Sequence, residues 1–380
     1  MDGGGQVDCI YTDYSKAFDR IDHSLLLCKL HRLGIHGDLF RWFSSYVTRR
    51  SQAVAVNGFL SPFTEISSGV PQGSLLGPLL FVIFINDITS CFQHSQLFLF
   101  ADDMKIAKRI CSADDQTDLQ SDLCRLDSYC LANKLDLNVS KCYLITFTRK
   151  IHPLQFGYSL KNTDLIRVNQ VRDLGVVHDE KLLFDHHIDQ LISKANKSMG
   201  FLIRISRNFT KIKTIKIIYC AYVRSILEYA SQVWNPRYHE YIDRVEKIQK
   251  RFLRYLSYRT GIADPSYDDR CKRHHLLPLS NRRQIADIIF FLKIIHGLVD
   301  SPELLSLIKF FTPSKQIRQP SLFYVPLVSS NYRQNSFFWR VPNLLNNILR
   351  DHSDLDIFIN SIASISNELV SDYFGSHKPS

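Results

Sequence analysis

Three carboxylates in this 380-residue sequence have the setting that metal-assisted phosphoryl transfer requires. Asp13 closes the strand-forming run Val7–Thr12, and Asp102 and Asp103 follow the apolar stretch Leu97–Ala101. Hard divalent cations take oxygen ligands, and moving a phosphoryl group with two such ions needs carboxylates that converge from different segments. Two adjacent strands, each ending in Asp, would supply that cluster. An Asp-Asp pair taken alone is more often a solvated turn, and the chain carries its own controls. Asp114-Asp115 follows Ser112 and reads as a helix start, while Asp268-Asp269 sits in a Pro/Tyr loop. Neither follows an apolar strand; Asp102-Asp103 does.

Periodicity predicts the elements that must position these groups. Val7–Thr12 reads as a strand, and Gln96–Lys105 as strand, tight turn, strand. Asp22–Leu33 reads as a helix stopped by Gly34, and Leu39–Tyr46 as a second, aromatic-rich helix. Asn57-Gly58, between Gln52–Val56 and Phe63–Ile66, predicts a hairpin. Ser68–Gly77 is a Gly/Pro loop, and Leu79–Ile88 a buried helix with Pro78 in its first turn. Thr117–Asn133 is an amphipathic helix and Tyr143–Phe147 a strand. This alternation gives an α/β or α+β layer over about the first 150 residues. Helices follow at Asp185–Arg207 and Tyr241–Leu256. The second of these carries Arg244, Lys247, Arg251 and Arg254 opposite an apolar stripe. Such a stripe is ordinarily a solvated face; beside a phosphoryl-transfer site it reads as a track for a nucleic-acid backbone. Gly261–Asp269 reads as a linker, and 302–335 as irregular.

Composition sets outer limits. Forty-five per cent hydrophobic and 22% charged residues is ordinary globular usage, enough for two or three domains. The 47 Lys and Arg against 37 Asp and Glu leave a formal charge of +10. This charge fits either a polyanionic partner or a merely basic soluble protein. Nine cysteines without a Cys-x-x-Cys argue against a disulfide framework or zinc ribbon and read as reduced intracellular thiols. The polar, Gly-rich Met1–Gly5 does not read as a signal peptide, and the longest apolar run, Leu79–Ile85, is too short to span a bilayer.

Five segments, in order and at matching spacing, resemble the motifs of the reverse transcriptases of non-LTR retrotransposons. Tyr11-Thr-Asp-Tyr-Ser-Lys-Ala-Phe-Asp-Arg20 resembles motif A, and Ser68-Gly-Val-Pro-Gln-Gly-Ser-Leu-Leu-Gly-Pro78 motif B. Phe100-Ala-Asp-Asp103 is similar to motif C, Asn138-Val-Ser-Lys141 to motif D, and Leu174-Gly-Val-Val-His-Asp179 to motif E. Val223–Ser231 and Trp234-Asn-Pro236 are similar to the region behind the polymerase core of jockey-like elements.

The resemblance implies an α+β fold, a right-hand polymerase palm over 1–180, followed by a helical thumb over 181–260 and a helical C-terminal region over 261–380. It implies RNA-directed DNA synthesis on an RNA template and a DNA primer with deoxynucleoside triphosphates, and two Mg²⁺ ions held by Asp13, Asp102 and Asp103. Phe18 would gate against a 2′-hydroxyl; without the motif it reads as a core residue. Gln72 and Gly73 would lie at the templating pair and incoming nucleotide. Lys141 would protonate the leaving pyrophosphate, though alone it reads as a surface lysine. Leu174 and Gly175 would grip the primer end, where Gly175 alone reads as a turn. Target-primed copying, and hence nuclear action after cytoplasmic synthesis, follows from the same resemblance. In that family, fingers carrying a triphosphate-binding Lys and Arg precede motif A, whereas here motif A begins at Tyr11. A truncated copy or a cut reading frame, with weak or no polymerisation by these residues alone, is the expectation. A non-catalytic nucleic-acid-binding remnant and an intron-type polymerase are the alternatives.

Overall fold

Gln6–Thr12 (β1) carries buried residues on both faces because it is the central strand of a five-stranded sheet. The protein is described by a computed structural model over residues 4–374, apart from 263, 313–320, 329 and 353. The other strands are Gln96–Phe100 (β2), Asp103–Arg109 (β3), Tyr143–Thr148 (β4) and Ile166–Arg167 (β5), in the order β5-β4-β1-β3-β2. β1 runs antiparallel to β3, with Val7 opposite Arg109 and Thr12 opposite Met104, and antiparallel to β4. β5 joins β4 in parallel.

Alternation along β1 sends Ile10 to one face and Cys9 to the other. Ile10, Ile106 and Leu144 join the larger core, while Cys9 and Ile145 meet Val171 in a smaller cluster. Helices supply the rest of the large core: His23–Arg32 (α1), Gly37–Val47 (α2), Leu76–Ile85 (α3) and Ala113–Ala132 (α4). Each fully buried side chain such as Leu26, Phe84 or Leu123 stabilises the fold by about 1.5–3 kcal/mol. The helix starts are specified locally. The Asp22 carboxylate accepts from the Leu25 N–H at 2.9 Å, and Ser112 and Asp115 form a reciprocal capping box. The one acidic residue within β1, Asp8, is fully buried and accepts from Gln6 Nε2, Thr146 Oγ1 and Tyr158 OH at 3.1, 2.8 and 2.8 Å. These donors satisfy a charge that burial would otherwise penalise.

The chain divides into two compact units. One comprises the described residues up to Val171 with Asp179–Leu182; the other comprises Arg172–His178 and the described residues from Leu183 onward. In the second unit, helices Asp185–Ile205 (α5), Ile212–Tyr219 (α6), Ser225–Glu228 (α7), Ser231–Trp234 (α8) and His239–Thr260 (α9) close around Met199, Tyr219, Trp234 and Phe252. A π-helical turn, Cys220–Arg224, joins α6 to α7. Tyr267–His274 (α10) and Leu279–Ile295 (α11) follow, and Ile288, Phe291 and Leu345 anchor a further cluster toward the C-terminus. Among the described residues, no helix is long and apolar enough to cross a membrane. All nine cysteines are free.

Four predicted elements differ from the structure. The segment 302–335, read as irregular, carries short helices at Pro302–Ser306 and Asn331–Gln334, with 313–320 and 329 outside the described residues. The apolar helix begins earlier, at Leu76, and turns into a 3₁₀ segment over Asn86–Cys91. The Asn57-Gly58 hairpin forms, but its strands are Ala55–Val56 with Phe59–Leu60, extended by Arg50–Gln52 with Thr64–Ile66. Asp268-Asp269 lies in the first turn of α10, not in a loop: Ser266 Oγ accepts from the Asp269 N–H at 3.1 Å and starts a helix inside the expected linker.

Candidate active site

The register of β1 and β3 governs the position of the acidic groups. Thr12 stands opposite Met104, so Asp13, just past the end of β1, and Asp103, the first residue of β3, are the next positions along the two chains. Phe100 pairs with Asp103 across the β2–β3 hairpin, leaving Ala101-Asp102 as its two-residue turn. Ala101 takes φ 53°, a left-handed conformation that costs a residue with a Cβ about 1–2 kcal/mol. Strain of this kind persists where surrounding structure enforces it, and it clusters at functional sites. Asp13 and Asp102 are partly exposed and Asp103 is exposed. Among the described residues, no three acidic, histidine or cysteine side chains stand close enough together to hold a metal ion. What lies against Asp13 is a cation: Lys141 Nζ is 3.4 Å from its Oδ2. The donor chemistry, all carboxylate oxygen, is that of a hard divalent cation.

Lys141 reaches Asp13 because the backbone before it is fastened to the Asp13 turn. Ser15 N–H donates to Asp136 O at 2.7 Å, and Asn138 N–H donates to Asp13 O at 2.8 Å. Tyr14 forms an isolated bridge with Leu137. A 3₁₀ turn over Val139–Lys141 then presents the lysine. Tyr14 itself is buried, and burial pushes its phenol far above the ordinary range. Asp136 anchors the other side of this turn: its hydrogen bond from Lys161, with Arg20 nearby at 2.7 Å, holds its carboxyl below the usual carboxylate range.

The Gly/Pro loop docks on the helical turn that carries Phe18. Gly69 N–H donates to Ile21 O at 2.8 Å, Val70 N–H to Phe18 O at 2.9 Å, and Ser68 Oγ to Asp19 O at 2.8 Å. Gln72 Nε2 donates to Asp19 Oδ1 at 2.8 Å, which fixes its exposed amide. Gly69, at φ 86°, admits no side chain, since a Cβ would meet the Asp19 Cα and O at 2.8 Å. Gly73 also needs a left-handed conformation, at φ 78°, but faces open space. Phe18 is half-buried, with its ring centroid 4.7 Å from that of Phe81. Beside this loop lies a polar cleft of about 620 Å³, where Lys16 and Arg50 stand with Asp19, Glu65 and Gln72. The structure thus brings Asp13 to Lys141 and Gln72 to the Phe18 segment.

The other sequence-derived positions lie in the second unit. Leu174 and Gly175 form the turn between Gln170–Asp173 and Val176–Asp179, both left-handed, at φ 45° and 86°. Leu174 O accepts from Tyr229 OH at 2.8 Å. On α9, Lys247, Arg251 and Arg254 are exposed on one face. Arg244 departs from the expected stripe: it is half-buried and donates to Asp189 at 2.5 Å. Spacing places it on the charged side of the helix, yet a neighbouring acid on α5 engages it.

Sequence reading assigned no role to Asp19, Gly69, Asp136, Lys16 or Arg50. Asp19 and Gly69 lie inside the quoted motifs, so their letters were visible. Their partners are set by contacts between segments about 50 residues apart.

Residues 5–178 match the family described as reverse transcriptase (RNA-dependent DNA polymerase). The chain is 29% identical over 258 residues to the RNA-directed DNA polymerase from mobile element jockey of Drosophila funebris, covering 65% of this chain and 28% of that protein. It is 30% identical over 261 residues to the jockey polymerase of Drosophila melanogaster, with the same two coverages. It is 26% identical over 255 residues to the probable RNA-directed DNA polymerase from transposon X-element of Drosophila melanogaster, again over 65% and 28%. The chain therefore spans about 28% of the length of these relatives.

Proposed function

We infer, from the match of residues 5–178 to the reverse transcriptase family, that this chain is the RNA-directed DNA polymerase portion of a non-LTR retrotransposon of the jockey type. The observation that carries this reading furthest is the pairing of Asp13 with a cation, Lys141, beside a strained Ala101-Asp102 turn on the neighbouring hairpin. In this reading the five-stranded sheet is the palm and the helices from Asp185 to Thr260 are the thumb. Asp13 and Asp102, supported by Asp103, would hold two Mg²⁺ ions, which would supply Lewis-acid activation of the primer 3′-hydroxyl and charge neutralisation at the pyrophosphate.

The chain's own residues do the remaining work. Lys141, already beside Asp13, donates a proton to the pyrophosphate as it leaves. Gln72, fixed by Asp19, lies under the base pair being formed, and the Phe18 ring closes the space that a 2′-hydroxyl would need. Lys16 and Arg50, on the cleft beside Gln72, offer positive charge to the triphosphate. The Leu174-Gly175 turn holds the primer end, and Lys247, Arg251 and Arg254 follow the template–primer backbone. Nuclear, target-primed copying of an element's RNA is the setting that the jockey-type relationship suggests.

The test is primer extension on an RNA template with Mg²⁺, comparing the chain with Asp102→Asn and Asp13→Asn. Weak extension by the unmodified chain, lowered by at least about a further hundredfold in both variants, is the expected result. Template–primer binding without extension in any variant would leave a nucleic-acid-binding protein and overturn the catalytic assignment.

A further inference from the structure

Tyr229 reaches the Leu174-Gly175 turn from a corner of the second unit that cannot hold its own shape. Its OH donates to Leu174 O at 2.8 Å, and a Cβ at Gly175 would stand 3.3 Å from its ring. The corner is made of α7 and α8, four residues each, and Ala230 between them is left-handed at φ 52°. Helices of one turn are too short to be stable alone. Trp234 ties the corner back on itself, its Nε1 donating to Tyr229 O at 2.7 Å. The Trp234 ring also lies 5.4 Å from that of His187, whose Nδ1 accepts the Val177 N–H at 3.2 Å. Val177 belongs to the second strand of the hairpin that Leu174-Gly175 closes, so the corner meets this hairpin in two places.

The groups that fix the corner come from α11 and from the helix Phe337–Asp351. Arg282 of α11 donates to both carboxylate oxygens of Glu228, the residue before Tyr229. On the other side of Tyr229, Arg340 Nη2 donates to Gln232 O at 2.8 Å. The same guanidinium donates to both oxygens of Asp287, at 2.9 and 3.1 Å, and to Asn335 O at 2.8 Å. Asp287 is buried and also accepts from Asn235 Nδ2 at 3.3 Å, while Arg283 Nε donates to Asn235 Oδ1 at 3.1 Å. A buried carboxylate is tolerated only with partners of this kind. The planar fork of Arg340 thus joins α8, α11 and its own helix, a geometry that the point charge of a lysine cannot reproduce.

We propose that Arg340 is a positioning residue for polymerisation: it fixes α8, and α8 holds Tyr229 against the Leu174-Gly175 turn. This gives the helices beyond Leu279 a part in the reaction, although none of them carries a sequence-derived site residue. The part in the reaction rests on the reading of this turn as the one that holds the primer end; the bracing of the turn by Arg340 does not. A side chain that served only the C-terminal helices would have no use for a bond to the Gln232 carbonyl, which belongs to the corner and not to those helices.

The test is amide hydrogen exchange of residues 170–179 in the full chain, followed by mass spectrometry. Tyr229→Phe removes one hydroxyl from an exposed ring and is expected to speed exchange there about fivefold. Arg340→Gln should speed it at least as much, and Arg340→Lys less. Because both residues act along one chain of contacts, the double variant Arg340→Gln, Tyr229→Phe should exchange more slowly than the product of the single effects. Exchange that Arg340→Gln leaves unchanged, or a double variant equal to the product, overturns the proposal. If Arg340→Gln also loosens α9, the unit has unfolded, and Arg340→Lys with and without Tyr229→Phe decides by the same two criteria. Primer extension then reads the part in the reaction: Arg340→Gln should lower kcat about tenfold with the triphosphate KM unchanged, and Arg340→Lys should restore part of the loss. An unchanged kcat beside faster exchange overturns that part. No extension by the unmodified chain is a failure of the polymerase reading, visible without any variant, and the exchange measurement still decides whether Arg340 braces the turn.

Discussion

Gly69 and Gly73 lie four residues apart in the same loop and make different demands. Both are left-handed, at φ 86° and 78°. At Gly69 an added methyl would also collide with the Asp19 backbone at 2.8 Å, and backbone cannot swing aside as a side chain can. Gly69→Ala is expected to cost about 2–4 kcal/mol, combining left-handed strain with displacement of the Phe18–Ile21 segment. Gly73→Ala should cost only about 1–2 kcal/mol, the strain alone. Urea denaturation of the two variants measures this difference, and equal losses would mean that the Asp19 contact is not tight. Both glycines are legible in the Ser68–Pro78 run. What the letters do not show is that one meets a backbone and the other solvent.

Helix α9 shows how far an element can be read from its own period. Its apolar face, Val245, Ile248, Phe252 and Leu256, is fully buried or nearly so, as a 3.6-residue repeat dictates. Its charged face divides by neighbours: Lys247, Arg251 and Arg254 remain exposed while Asp189 takes Arg244. Lys247→Gln, Arg251→Gln and Arg254→Gln are each expected to lower nucleic-acid affinity and to reduce the salt slope of binding by about 0.9. Arg244→Gln should leave that slope unchanged, because its charge already faces a carboxylate. Binding measured across a range of salt concentrations distinguishes the two classes, and a slope change for Arg244→Gln would place it back in the track. The same limit explains α10. Ser266 and Asp269 carry a start signal that a Pro- and Tyr-rich context concealed, and the helix is held because Cys271 and Leu276 join the core of the second unit.

At the scale of the molecule, each unit has its own buried core, so each has its own stability and its own response to pH. His187 supplies the sign for the second unit. Its folded pKa is lowered from 6.5 to about 4, chiefly by burial, so between these values the unfolded chain binds the extra proton. Stability from this group is complete above pH 6.5 and declines as pH falls toward 4. His187→Asn, which keeps an acceptor for the Val177 N–H but cannot titrate, should flatten the acid loss in that window by about one proton. Tryptophan fluorescence in a Trp42→Phe background follows the second unit alone, since Trp234 and Trp339 both lie there. An unaltered slope would show that His187 does not titrate as a buried group. By itself the sequence determined the element types, the alternation that gives a mixed α/β layer, and the three acidic positions with Phe18, Gln72 and Lys141. The elements and the acidic positions follow from side-chain period and turn chemistry, local along the chain, whereas Phe18, Gln72 and Lys141 are singled out only by the resemblance of their segments to reverse-transcriptase motifs. The tertiary structure alone decided that Lys141 faces Asp13, that Asp19 fixes Gln72, that Asp189 withdraws Arg244, and that Arg340 joins Asp287 to the Gln232 carbonyl. Each of these pairings joins segments distant in sequence, and only sheet register and helix packing bring them within the few ångströms at which charges and hydrogen bonds act.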